Sequence, residues 1–124
     1  MDVKVVDASA LAAIIFREGK AAVAVQLIGD AAMIAPGLLL YEMTNIAVTK
    51  SRRQPDQRHN IANAFGEFLN FPIQYRDVEF DGAASLALAK GLSGYDAAYL
   101  WLAQDTGAEL VTLDRQLAAA AKEA

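Results

Sequence analysis

The chain is 124 residues long, enough for one domain with a sizeable core, and its 11 Lys and Arg against 15 Asp and Glu give a net charge of −4, which excludes an overall pull toward nucleic acid or anionic membrane and makes any polyanion contact local. Cysteine is absent, which excludes disulfides and thiolate metal sites and makes a reducing cytoplasm the expected setting. Apolar residues reach 55% with a mean hydropathy of +0.22, yet Pro36, Gly37 and charges break the apolar stretches well short of the ~18 residues of a membrane span, so the surplus apolar surface is expected to serve another subunit or a partner chain.

In chain order, Val3 to Val6 reads as a strand buried on both faces. Ser9 is expected to cap the following helix, with Leu11, Ile14 and Ile15 on one side and Gly19 at its end. A second helix, rich in Ala and Val, is predicted from about Lys20 to Ile28, then a short strand around Met33 to Ala35 closed by Pro36 and Gly37. The next helix spans about Leu38 to Lys50. "SRRQPD" reads as a polar break, and Pro55 or Asp56 starts a helix reaching about Leu69. Past Pro72, "IQYRD" reads as a strand, followed by an amphipathic helix from about Asp81 to Lys90. "SGYDAAYLWLA" is a further helix ended by Gly107, "ELVTL" is the last strand, and Asp114 opens a final Ala-rich helix.

Strands alternating with helices predict an α/β sandwich around a mostly parallel sheet. In such a fold, helix N-termini and strand C-termini share one edge, where ligands bind. Four acids fall there. Asp7 directly follows the first strand, Asp114 directly follows the last, and Asp96 lies in the first turn of its helix. Glu42 is about five residues into the helix after the second strand, ~7 Å below its start at 1.5 Å per residue. Each also has an ordinary structural reading: Asp7 as an Asx-turn, Ser93 with Asp96 as a capping box, Asp114 as an N-cap. Glu42 shares a helix face with Asn45 and Thr49 beside the apolar stripe of Leu39, Met43 and Ile46, so its ordinary reading is a solvated polar face. Gathered at one edge, each like-charged pair repels by about 4 kcal/mol at ~4 Å and an effective dielectric near 20. A divalent cation removes that conflict. With no cysteine and a single histidine, the donors are oxygen, which suits Mg2+ or Mn2+.

The stretches "VVDASAL", "YEMTNIA", "LSGYDAAYLWLA" and "LVTLDRQL" resemble, in order and spacing over nearly the whole chain, the PIN-domain family, in particular the VapC-type toxin ribonucleases of type II toxin-antitoxin systems. The resemblance implies a single PIN domain over residues 1–124, a Rossmann-like three-layer sandwich whose mostly parallel central sheet has about four to five strands flanked by helices. It also implies a homodimer, Mg2+-dependent endonucleolytic cleavage of RNA, and a VapB-type antitoxin that occupies the acidic pocket. Carried over by position, it implies Asp7, Glu42, Asp96 and Asp114 as the catalytic acids, with Asp7 and Asp96 binding metal directly and Glu42 and Asp114 directly or through water. Ser9 and Thr112 match small hydroxyl positions beside the acids, and Asn45 a polar position on the face of Glu42. Products with a 5′-phosphate and a 3′-hydroxyl are implied, because metal-activated water is the nucleophile.

His59 is then unnecessary as a base and reads as a surface residue. "KSRRQPDQRH" carries Lys50, Arg52, Arg53 and Arg58, either a phosphate-touching loop or a solvated helix end. Tyr41, Tyr95 and Tyr99 are either platforms for unstacked bases or half-buried packing. A haloacid-dehalogenase-like phosphatase is excluded by Ser9, where it would need a second aspartate, and a receiver domain is a poor second, since it should show a paired acid beside the first strand and a lysine after the last, where Arg115 follows Asp114. The alternative that stands is a protein-binding module whose acidic pocket receives an arginine from a partner.

Overall fold

The four apolar runs expected to be strands all pair, in a computed structural model that describes residues 2–123. The strands are β1 (Val3–Val6), β2 (Ala32–Pro36), β3 (Ile73–Arg76) and β4 (Glu109–Val111). The helices are α1 (Ala8–Ile15), α2 (Ala21–Ile28), α3 (Leu38–Arg53), α4 (Arg58–Leu69), α5 (Phe80–Lys90), α6 (Gly94–Thr106) and α7 (Arg115–Lys122). The sheet runs in the order β3-β2-β1-β4, and every pairing is parallel, with Val5 opposite both Ile34 and Leu110. The expected α/β class is therefore present, with all four strands parallel rather than most of them.

The strand order fixes the layers. From β1 to β2 to β3 the chain steps outward in one direction, and from β3 to β4 it returns past β1. Right-handed crossovers then put α1 to α4 on one face and α5 and α6 on the other. The packing agrees, since α1 touches α2, α3 and α4, while α5 and α7 both rest on α6. The chain reverses its direction of travel between β1 and β4, and that switch point is where an open parallel sheet forms a crevice at its strand C-termini.

Burial follows from the apolar pattern. Val5, Val6, Ile34, Ala35 and Val111 line the sheet, and Leu11, Leu39, Met43, Phe68, Tyr99 and Leu102 pack against it. Each Val, Ile, Leu, Met or Phe among them contributes about 1.5–3 kcal/mol. A small second cluster, Leu100 with Leu117 and Ala120, seats α7 on α6. Between α5 and α6 the helices approach so closely that a Cβ on Gly82 would lie 2.5 Å from Trp101 Nε1.

Several boundaries differ from expectation: the helix expected from Pro55 or Asp56 opens with a 3-10 turn, Pro55–Gln57, before α4, and the last strand stops at Val111. The cap of α1 is Asp7, whose side chain accepts from Ala10 N, because Ser9 already lies inside the helix. The same helix ends at Phe16 rather than Gly19, and Arg17, at φ 53°, makes the left-handed turn that a glycine would make without strain. Helix α3 continues through Lys50 to Arg53, since basic residues suit a helix C-terminus. Its stop is set by Pro55, which disfavours helical backbone at Gln54 (φ −130°, ψ 72°). Among the described residues, no helix is long and apolar enough to cross a membrane.

Candidate active site

The end of β1 delivers Asp7 to the switch point with an extended backbone and only 5% exposure. A carboxylate this deep needs donors, and three converge on it. Ser9 Oγ donates to Oδ1 at 2.7 Å and Ala10 N at 3.0 Å, while the Thr112 hydroxyl donates to Oδ2. The two hydroxyls are themselves fixed from behind: Leu113 N donates to Ser9 Oγ at 2.9 Å and Asp114 N to Thr112 Oγ1 at 3.0 Å. The end of β1, the first turn of α1 and the end of β4 are thus joined through one carboxylate. Of roughly four acceptor positions on an ionised carboxylate, three are used.

The next two acids also begin helices. Asp114 caps α7, its Oδ1 accepting from Leu117 N at 2.8 Å. Ser93 caps α6 by accepting from Asp96 N at 3.0 Å, which is half of the expected capping box. The other half is missing, since the Asp96 carboxylate makes no hydrogen bond among the described residues. Ordinary capping therefore accounts for Asp114 and for the backbone of Asp96, but not for the Asp96 side chain. Glu42, half-buried on α3, accepts from the Tyr99 hydroxyl of α6 through Oε1.

Burial and neighbouring acids bear on three of the four carboxylates. Burial, first, pushes Asp7 above the ordinary carboxylate range, against the pull of its hydrogen bonds and with a further push from Asp114. Burial also raises Glu42, with Asp7 and Asp96 adding to it, and raises Asp96, with Asp114 and Asp7 adding. No cation offsets this charge: the ion pairs among the described residues are Lys4–Glu109, Lys50–Glu18 and Lys90–Glu123, and none involves a site acid. Among the described residues, no group of three acids is drawn close enough to form a finished metal cage. The carboxylates lie within electrostatic range of one another.

Of the supporting residues, Ser9 and Thr112 touch Asp7 directly, whereas Asn45 is exposed one turn below Glu42 and makes no side-chain hydrogen bond among the described residues. Tyr41 and Tyr95 are exposed and line, with Phe80, a groove of about 520 Å³ that reaches the ends of β2 and β3. Tyr99 is 1% exposed and cannot stack on a base. In the basic segment, Lys50 is occupied by Glu18 at 2.6 Å and sits 5.4 Å from the Phe16 ring centre, leaving Arg52, Arg53 and Arg58 exposed beside an exposed His59. The contact that sequence reasoning missed is Tyr99 to Glu42. Its faint signal is that Tyr99 follows Asp96 by three positions and so shares its helix face.

The chain is thus a parallel α/β sandwich whose switch point is lined by carboxylates and hydroxyls, with no ion pair to a site acid among the described residues. The sequence model of the PIN domain matches residues 4–123, and the chain belongs to that family. It is 38% identical over 120 residues to Ribonuclease VapC3 of Pyrobaculum aerophilum, covering 92% of this chain and 91% of that relative. The crystal structure of PAE2754 from Pyrobaculum aerophilum superimposes with a TM-score of 0.77 at 27% identity, over 98% of this chain and 81% of that one. VapC20 of Mycobacterium tuberculosis, a Sarcin-Ricin loop cleaving toxin, shares the fold with a TM-score of 0.67 at 16% identity, over 94% of each chain.

Proposed function

We propose that this chain is the toxin endoribonuclease of a VapBC-type pair, hydrolysing RNA phosphodiester bonds with Mg2+ or Mn2+ held at the acidic edge. One observation carries the reading: burial, and after it the charge of a neighbouring acid, holds Asp7, Glu42 and Asp96 above the ordinary carboxylate range, with Asp114 one of those neighbours, while among the described residues no side-chain cation pairs with any of the four. An all-oxygen donor set of this charge fits a hard divalent ion. Asp7 and Asp96 would hold it directly, the first through its one unused acceptor position and the second through a carboxylate free of other bonds. Glu42 and Asp114 would hold it directly or through water. When bound, the ion neutralises charge growing on the phosphoryl oxygens and lowers the pKa of water.

The chain's own part is positioning. Ser9 and Thr112 fix the rotamer of Asp7, and the cap of α7 fixes Asp114, so these carboxylates lose little freedom when they engage. Water adds to phosphorus in line with the leaving oxygen. The bond to the 3′-oxygen breaks, that oxygen takes up a proton, and the products are a 5′-phosphate and a 3′-hydroxyl. The groove with Tyr41, Phe80 and Tyr95 offers ring faces to bases flanking the cut.

Phe80 and Leu88, 85% and 88% exposed on α5, support a homodimer or a docked VapB-type antitoxin, since apolar side chains this open usually meet a partner. A cytoplasmic setting follows from the RNA substrate and the absence of cysteine. The test is labelled RNA incubated with purified chain, freed of any bound partner, in Mg2+ and in EDTA. Cutting that needs the metal supports the proposal. No cutting in either, over varied substrates, would favour a binding module whose acids receive a partner's arginine.

A further inference from the structure

We infer that Tyr99 is a positioning residue of the metal site, acting through Glu42; this rests on the nuclease reading above. The observation is a hydrogen bond between layers. Tyr99 lies on α6 and Glu42 on α3, helices on opposite faces of the sheet, and the phenol of one donates to the carboxylate of the other over 57 positions of sequence.

The bond is built rather than incidental. Tyr99 is 1% exposed, within the main core beside Leu39, Met43 and Leu102, and a phenol placed so deep needs a partner for its hydroxyl. Phenylalanine would fill the same space without that demand. Asp96 and Tyr99 stand three residues apart on one helix face, ~4.5 Å along the axis, so α6 presents a carboxylate at the rim and a donor one turn below it. The donor takes Oε1 of Glu42, and Oε2 makes no hydrogen bond among the described residues.

Glutamate has a long side chain with several rotatable bonds, and ordering it costs entropy at the moment of binding. Tyr99, with two side-chain torsions locked by the core, settles that cost in the fold. Such outer partners typically change metal affinity by 10–100-fold when lost. One device therefore serves two of the acids: α6 supplies Asp96 and disciplines Glu42.

The experiment is calorimetric titration of Mn2+ into the metal-free protein for wild type, Tyr99→Phe, Glu42→Ala and the double variant. Tyr99→Phe should weaken Mn2+ binding roughly tenfold while its metal-free melting stays within a few degrees of wild type. In the Glu42→Ala background the same change should cost nothing more, because its route is gone. Wild-type affinity in Tyr99→Phe, or an equal loss with Glu42 absent, would overturn the inference. Wild type that takes up no Mn2+ would sink the nuclease reading as well. A measurement independent of variant folding is the NMR signal of the Tyr99 hydroxyl proton in wild type. It should move on addition of Mg2+, and a signal indifferent to Mg2+ counts against the role.

Discussion

The acidic edge has two halves assembled in different ways. At the strand ends, Asp7 with Ser9, Thr112 and Asp114 forms a continuous network in which each carboxylate also caps a helix. On the helices, Glu42 takes a single bond from Tyr99 and the carboxylate of Asp96 takes none among the described residues. In the first half, fold and site share the same atoms, and only an isosteric change separates them. In the second half they are separable, because neither carboxylate caps a helix.

The largest effect on stability is expected from Asp7→Ala. It removes the cap of α1, worth about 1 kcal/mol, and strands the hydroxyls of Ser9 and Thr112, at about 1–3 kcal/mol if either is left unpaired. Denaturant unfolding should show a loss of at least ~2 kcal/mol. Asp7→Asn keeps an acceptor for Ala10 N and should stay within about 1 kcal/mol of wild type, yet cut no RNA. An Asn variant as unstable as the Ala variant would mean that the negative charge itself holds this half together.

Next comes Gly82→Ala, aimed at the seat of the looser half. Alanine favours a helix by about 1 kcal/mol over glycine, but here its Cβ would press on the Trp101 indole at 2.5 Å. A net loss of roughly 1–3 kcal/mol is expected as α5 and α6 are forced apart. A gain in stability would show that the indole yields freely.

Asp96→Asn should cost no stability and yet abolish cutting. The pH dependence sharpens this. Burial, helped by Asp114 and Asp7, raises the pKa of Asp96 in the folded protein, so the folded state binds its proton more tightly than the unfolded chain does. Its contribution to stability is then greatest below the ordinary carboxylate value and falls as pH rises through the folded one. The Asn variant should match wild type at low pH and become the more stable metal-free protein above that window. Melting curves across pH check it, and a variant that loses ground with rising pH contradicts it. Smallest in stability is Tyr95→Ala: an exposed ring is lost, so melting should be unchanged while the KM for RNA rises several-fold.

The strand pattern is legible in the amino-acid sequence because Val3 to Val6 and most of its counterparts are short apolar runs between turn residues, while the polar IQYR of β3 is marked by Pro72 before it. The four acids were legible because strand ends and helix starts share an edge in any parallel α/β sheet. What escaped depends on distance or on competing signals. Ser9 looked like a cap because serine is a favoured one, but Asp7 two residues earlier had the extended backbone a cap needs. "SRR" looked like a break because it is polar, although polarity does not stop a helix and Pro55 does. Tyr99 sits in an apolar run that suggests a base platform or half-buried packing but no bond to Glu42, since that partner stands 57 residues away and on the opposite layer.

The account rests on these acids being a seat for a divalent ion, and the melting temperature with and without metal tests it most directly. A ligand at a hundred times its Kd stabilises a fold by about 2.7 kcal/mol, so millimolar Mg2+ or Mn2+ should raise the wild-type Tm by several degrees and leave that of Asp96→Asn nearly still. A wild-type Tm unmoved by saturating Mg2+ and Mn2+ would contradict it.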